Sequence, residues 1–175
     1  MFDTRLATLP DQADQHAHDH HQLVMSLSGR AEFEIGGTAG EVCRMRACLV
    51  PGDVGHQFAG LGDNRMLIVD LTEAGTGEQD RELLARLFEM PRYPTLDADF
   101  QNLLSYAGAE IARYGDDPLL ARAWAACCCE HCTCGCSAKT VRRATGRWTW
   151  SGWTAISPST FPGALPWRSW RRSPA

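Results

Sequence analysis

From Gln22 to Leu71 the chain is a succession of short apolar runs separated by turn residues, the pattern of a β sandwich or small barrel. Leu23-Val24-Met25 and Ala31–Ile35 flank Ser28-Gly29-Arg30, which suits a hairpin. In the second run Ala31, Phe33 and Ile35 alternate with Glu32 and Glu34, the period of two that marks a half-buried strand. Gly36, Gly37 and Gly40 allow the next turn. Cys48-Leu49-Val50 reads as a strand ended by Pro51-Gly52-Asp53, His56-Gln57-Phe58 as a shorter one, and Met66–Val69 closes the set after Gly62-Asp63-Asn64.

Then the period lengthens. Arg81 to Glu89 places Leu83, Leu84, Leu87 and Phe88 on one helical face. Leu96, Phe100, Leu103, Leu104, Ala107, Ile111 and Tyr114 follow in steps of three and four, one stripe over about five turns. Thr95 is the expected N-cap, with Asp97 in the first turn. A third helix is expected after Pro118, through Leu119, Leu120, Ala123 and Trp124. Strands followed by segregated helices give a mainly β fold with helices after it.

Composition divides this picture in two. Six of the eight cysteines lie between Cys127 and Cys136, five of the six tryptophans lie between Trp148 and Trp170, and no Asp or Glu follows Glu130. With a net charge of -4, the chain offers no bulk electrostatic case for nucleic acid or membranes. It has no apolar run of signal-peptide length and nothing near the ~20 residues of a membrane span, so a cytoplasmic protein is expected. No Ser-His-Asp arrangement, phosphate loop or nucleotide fingerprint points to a hydrolase or a nucleotide-binding protein.

The chemistry gathers in histidines. His16 and His18 precede the first clear strand, and His56 follows the Pro51-Gly52 turn. Two histidines at i and i+2 on a strand point to one face, and a third from a neighbouring strand would complete a three-nitrogen pocket of the kind zinc, iron or manganese uses. His20 and His21 read as solvated polar residues.

The spacing His16-x-His18-x-x-x-Gln22, then Gly29, Pro51 and His56, resembles the two cupin motifs. Gln22 stands where a metal-binding cupin has Glu, so a divalent ion would lose one compensating charge there. The run from His16 through Gln22-Leu23-Val24 to Leu27-Ser28-Gly29, with Leu49–Gly52, His56 and Asp63-Asn64-Arg65, is similar to the sensor domains of AraC-type transcription regulators. That resemblance spans residues 15–126. It implies a cupin-like double-stranded β-helix (a jelly-roll barrel) over residues 1–75, with an effector pocket at His16, His18, Gln22 and His56. It further implies a helical dimerisation segment over 76–126, a homodimer, no catalysis, and DNA binding only through a full-length form with helix-turn-helix units. No resident cofactor is expected, unless the same four residues hold a divalent metal (Fe, Mn, Ni or Zn). The alternative is a stand-alone metal-dependent cupin enzyme, an isomerase or dioxygenase, with those side chains as ligands.

Residues 127–175 fit neither part. Six thiols and an imidazole between Cys127 and Cys136 could bind soft metal, but their spacing matches no paired C-x-x-C framework. The later tryptophans lie among Arg, Ser and Pro with no period. Cys and Trp codons both begin TG, so a displaced reading frame converts every one of them to Leu, Val or Met. The stretch from Trp148 then reads as an amphipathic helix, and the cysteine run as a continuation of the helix before it. A slip of one or two bases near Ala126 is therefore inferred, and the tail as it stands is expected to be disordered.

Overall fold

The computed structural model describes residues 2–73, 77–115 and 117–136. Strands come first: β1 (Phe2–Ala7), β2 (Asp14–His16), β3 (His21–Ser28), β4 (Ala31–Ile35), β5 (Thr38–Val42), β6 (Cys48–Val50), β7 (His56–Gly60) and β8 (Arg65–Leu71). Three helices follow, α1 (Glu78–Leu87), α2 (Ala98–Tyr114) and α3 (Pro118–Cys136). The strands form two four-stranded sheets, ordered β1-β8-β3-β6 and β2-β7-β4-β5, with antiparallel pairing throughout.

Burial explains the two kinds of strand. β3 and β8 lie mid-sheet with both faces covered, so Leu23, Val24, Met25, Met66, Leu67 and Val69 are all inaccessible, and their sequences are continuous apolar runs. Leu23, Met25, Leu67 and Val69 join one core with Leu84, Leu87, Phe100 and Leu104 of the helices. Val24, Met66 and Ile68 face the space between the sheets, with Phe33, Ile35 and Phe58. Two antiparallel sheets closed on an apolar interior and backed by helices give the expected cupin-like fold.

Three strands go beyond the sequence expectation. β1 alternates Phe2, Thr4 and Leu6 inward, but the polar Thr4 breaks the apolar signal. β2 is exposed along its whole length. β5 contains Gly40 because the Tyr93 ring occupies the place where a Cβ would sit, and the Tyr93 hydroxyl donates to the carbonyls of Phe33 and Thr38, each at 3.0 Å.

The helices bring corrections of their own. Thr95 does not cap α2; Asp97 does, accepting from the Phe100 N–H at 2.8 Å. Residues before it are held in extended pairing: the Ala47 N–H donates to Pro94 O, the Leu96 N–H donates to Met45 O, and Thr95 bridges Arg46. On α2 the expected stripe divides, with Phe100, Leu104, Ala107 and Ile111 buried but Leu103 and Tyr114 exposed. On α3, Leu119 is 79% exposed, and the buried line is instead Ala121, Ala125, Cys128, Cys129 and Cys132.

That line also corrects part of the disordered tail. Residues 127–136 continue α3, and Cys128, Cys129 and Cys132 pack into the core shared with the first sheet. Burial pushes the Cys128 thiol far up and the Cys129 thiol up to about 12, so these side chains behave as small apolar groups. The rest of the Cys/Trp-rich tail, residues 137–175, lies outside the described residues. No helix among the described residues is long and apolar enough to cross a membrane.

Candidate functional site

Pairing of β2 with β7 sets His16 directly opposite His56. The rings meet edge to face at 4.5 Å, and His16 also meets Phe58 at 5.4 Å. His18 reaches the same place by another route than the expected i, i+2 strand geometry, because β2 ends at His16 and His18 belongs to the connection into β3. There its carbonyl accepts from the Asp53 N–H at 2.8 Å. Its ring stands 4.9 Å from that of His56 and 5.8 Å from that of His16. One nitrogen from each of the three lies within 4.8 Å of the others, a group that could hold a metal ion.

Hydrogen bonds set the tautomers. His18 Nδ1 lies 2.7 Å from the carbonyl of His20, and His56 Nδ1 lies 3.2 Å from that of Val54. A carbonyl only accepts, so each Nδ1 carries the proton and each Nε2 presents a lone pair. Both Nε2 atoms are buried and have no hydrogen-bond partner among the described residues. Leaving such an acceptor unpaired costs about 1–3 kcal/mol, which is sustained where something else fills the place. An imidazole whose far N–H is anchored to a backbone carbonyl is the usual arrangement of a metal-ligating histidine. The residues fit such an ion.

Gln22 turns elsewhere. It is buried on β3, and its amide donates to Asp70 Oδ1 at 2.8 Å. Asp70 also pairs with Arg5 and lies 3.5 Å from His20 Nε2. The His20 ring in turn stacks on His18 at 4.0 Å. Arg5 and Asp70 thus join the surroundings of the site. Neither was legible beforehand, because Asp70 sits on β8, which folding sets beside β3, and Arg5 on β1, one strand further out.

His20 and His21 are therefore not merely solvated. His21 accepts the Gly52 N–H at 2.9 Å and stacks on Phe88 at 4.6 Å.

Desolvation, with His20 as the next largest influence, lowers the pKa of His18 to about 4 from the ordinary 6.5, and burial lowers that of His56 as well. Neutral imidazoles are the form that binds metal. The shift has a consequence for stability. Above pH 6.5 His18 is neutral in both folded and unfolded chains, whereas between 6.5 and about 4 only the unfolded chain takes up the proton. Stability therefore falls as pH drops through that window. Thermal melts at about pH 7.5 and about pH 5 should show a lower midpoint at the acid value, and His18→Asn should remove part of the difference. An unchanged pH dependence in that variant would show that His18 is not responsible.

The fold and the histidine group define a cupin-like domain. No protein-family model matches the chain. It is similar to LumQ of Photobacterium leiognathi, a probable transcriptional regulator, with 27% identity over 125 residues, covering 67% of this chain and 45% of that protein. The chain thus spans less than half the length of this curated relative. Among solved structures it is similar to apo ToxT from Vibrio cholerae, at a TM-score of 0.51 and 9% identity, covering 68% of this chain and 51% of that one. It is also similar to a cupin-2 domain protein from Shewanella frigidimarina over 41% of this chain and 71% of that one, with 12% identity and a TM-score of 0.37. The resemblance to AraC-type, cupin-containing regulators stands.

Proposed function

We propose that this chain is the effector-sensing half of an AraC-type transcription regulator that works in the cytoplasm and has no catalytic role. Residues 1–75 form the sensor, and residues 76–126 dimerise and lead to a helix-turn-helix DNA-binding half. On this reading a displaced frame near Ala126 separates the sensor from that half, and DNA binding belongs to a form that carries it. Sequencing the gene across and beyond the codon for Ala126 tests the interruption: an unbroken frame there would remove it.

The observation that carries the sensing role is the pair of buried, unpartnered Nε2 atoms on His18 and His56, with His16 beside them. These residues take a small polar effector, directly or through a divalent ion (Fe, Mn, Ni or Zn) held by the imidazoles, with Gln22, whose amide is bonded to Asp70, contributing through the carbonyl end of its side chain. Such an ion would supply a positive centre for an effector oxygen. Exposed Tyr106 and Tyr114 on α2 support a dimer surface there.

A ligand present at about 100 times its Kd adds about 2.7 kcal/mol of stability. Titration with Ni²⁺ and a panel of small polar metabolites should therefore raise the thermal midpoint. Purified protein whose midpoint responds to none of them would end the sensor reading.

The second reading is a stand-alone metal-dependent isomerase or dioxygenase with the same four side chains as ligands, its group open to solvent at the half-exposed His16. Purified protein that contains no Fe, Mn, Ni or Zn and takes none up would remove it.

A further inference from the structure

One turn, residues 51–54, bonds to two of the three histidines of the site. Its Asp53 N–H holds the His18 carbonyl at 2.8 Å, and its Val54 carbonyl takes the His56 Nδ1 proton at 3.2 Å. Gly52 lies against the Asp19–His20 peptide, where a Cβ would stand 3.1 Å from the Asp19 carbonyl oxygen. Asp53 holds the turn in shape with a φ of 61°. The Val54 N–H closes the turn on the Pro51 carbonyl at 3.4 Å, and the Gly52 N–H goes to His21 Nδ1 at 2.9 Å.

His21 stands at the start of β3, on the opposite face from Gln22. Gln22 shares the inward face with Val24, whereas His21 lies opposite Leu71 of the helix-side core. Its ring lies nearly parallel to that of Phe88, 4.6 Å away at 8°. Phe88 is the buried C-cap of α1. Since Nδ1 accepts from Gly52, the neutral ring carries its proton on Nε2, which faces Glu73 Oε1 at 3.5 Å. A single imidazole is thus gripped by the turn on one side and by the end of α1 on the other.

We propose that His21 is the positioning residue through which occupancy of the three-histidine site reaches the helical layer. The proposal rests on the ligand site of the preceding section. His18 and His56 are tied to the turn at two points, Asp53 N–H and Val54 O, so any shift of the two imidazoles on binding an ion would be felt there. The turn carries Gly52 with it, and His21 follows Gly52 against Phe88. An allosteric link of this kind needs a difference in free energy between bound and free states, and the readout is the opening equilibrium of α1.

The test uses Ni²⁺ on the full chain, because imidazole sites suit that ion while thiolates favour softer metals. Hydrogen exchange of the amides in α1 and Phe88 is followed with and without the ion. In the wild type, Ni²⁺ should slow exchange there about fivefold or more. His21→Phe keeps a ring on Phe88 but cannot accept from Gly52. It should bind Ni²⁺ with an affinity within about threefold of wild type and lose the slowing. Phe88→Leu cuts the link at its other end and should do the same, which keeps the test open if one variant fails to fold. Slowing that persists in both variants, or its absence in wild type with Ni²⁺ bound, overturns the role of His21 and leaves the site standing. Failure of wild type to bind Ni²⁺ or any other ion overturns the metal site and the link together.

Discussion

His56→Leu should weaken Ni²⁺ binding by about a hundredfold or more, since losing a group that merely orients a metal ligand already costs about 10–100-fold. The same variant should leave the metal-free protein no less stable than wild type, within about 1 kcal/mol. The two expectations come from one feature. His56 is buried among Ile35, Phe58 and the other histidines with an Nε2 that has no hydrogen-bond partner among the described residues. Leucine removes that unpaired acceptor, loses the bond to Val54 and keeps most of the volume. Replacing a buried polar group by an apolar one of like shape is close to neutral, whereas a histidine kept for packing or hydrogen bonding would be missed. His16→Ala is the companion measurement. Its ring is half-exposed at a sheet edge, so the variant removes a ligand without opening a cavity. Calorimetric titration and melting curves on both variants separate the roles. Retained Ni²⁺ affinity in His56→Leu would show that the three histidines are not the site. A loss of several kcal/mol in its metal-free form would show His56 to be a structural residue.

Much of the fold was legible because burial on both sides of β3 and β8 writes itself as unbroken apolar runs, and burial on one side of β4 as strict alternation. What escaped was written in residues that serve another element. Gly40 is small for the sake of Tyr93, which is distant in sequence. Thr95 has the chemistry of a cap but is occupied beside Arg46, so the helix waits for Asp97. The cysteines of α3 looked like a foreign insertion by composition, yet Cys128, Cys129 and Cys132 fall at the helical spacing of a buried face. The displaced frame would put aliphatic side chains on that same face, so either reading fills the core there. At the site, the three histidines were visible from their spacing, because an imidazole in a polar stretch has few purposes. Asp70 and Arg5 were not, because a charged residue on a strand carries no mark of its cross-strand neighbour until the register is known.

Asn64→Leu should lower stability by about 2–4 kcal/mol, or about 5–15 °C in Tm for a chain of this size. Asn64 is buried beside Leu9 and does the work of a missing strand partner. Its Oδ1 accepts the Leu9 N–H at 2.8 Å, and its Nδ2 donates to the carbonyls of Leu9 and Gly62, both at 2.9 Å. Gly60 has no side chain because Asn64 Nδ2 and the Leu9 carbonyl occupy that space. Leu9 itself packs into the interior core, so its backbone is drawn away from water and must be paired within the protein. The connection it anchors runs from β1 in one sheet to β2 in the other. β2 is only three residues long and carries His16 at its end, so loosening the connection loosens a ligand. Ni²⁺ affinity should therefore fall along with stability, by about tenfold if the freed segment opens by about 1.4 kcal/mol. Asn64→Asp distinguishes polarity from pairing. The carboxylate can still accept from Leu9 N–H, but it cannot donate, and it turns a buried negative charge toward two carbonyl oxygens. It should be at least as damaging as leucine. Wild-type midpoints in both variants would mean that the Leu9 backbone finds partners without Asn64. A midpoint for Asn64→Asp close to wild type, with Asn64→Leu unstable, would mean that the accepted bond alone holds the connection.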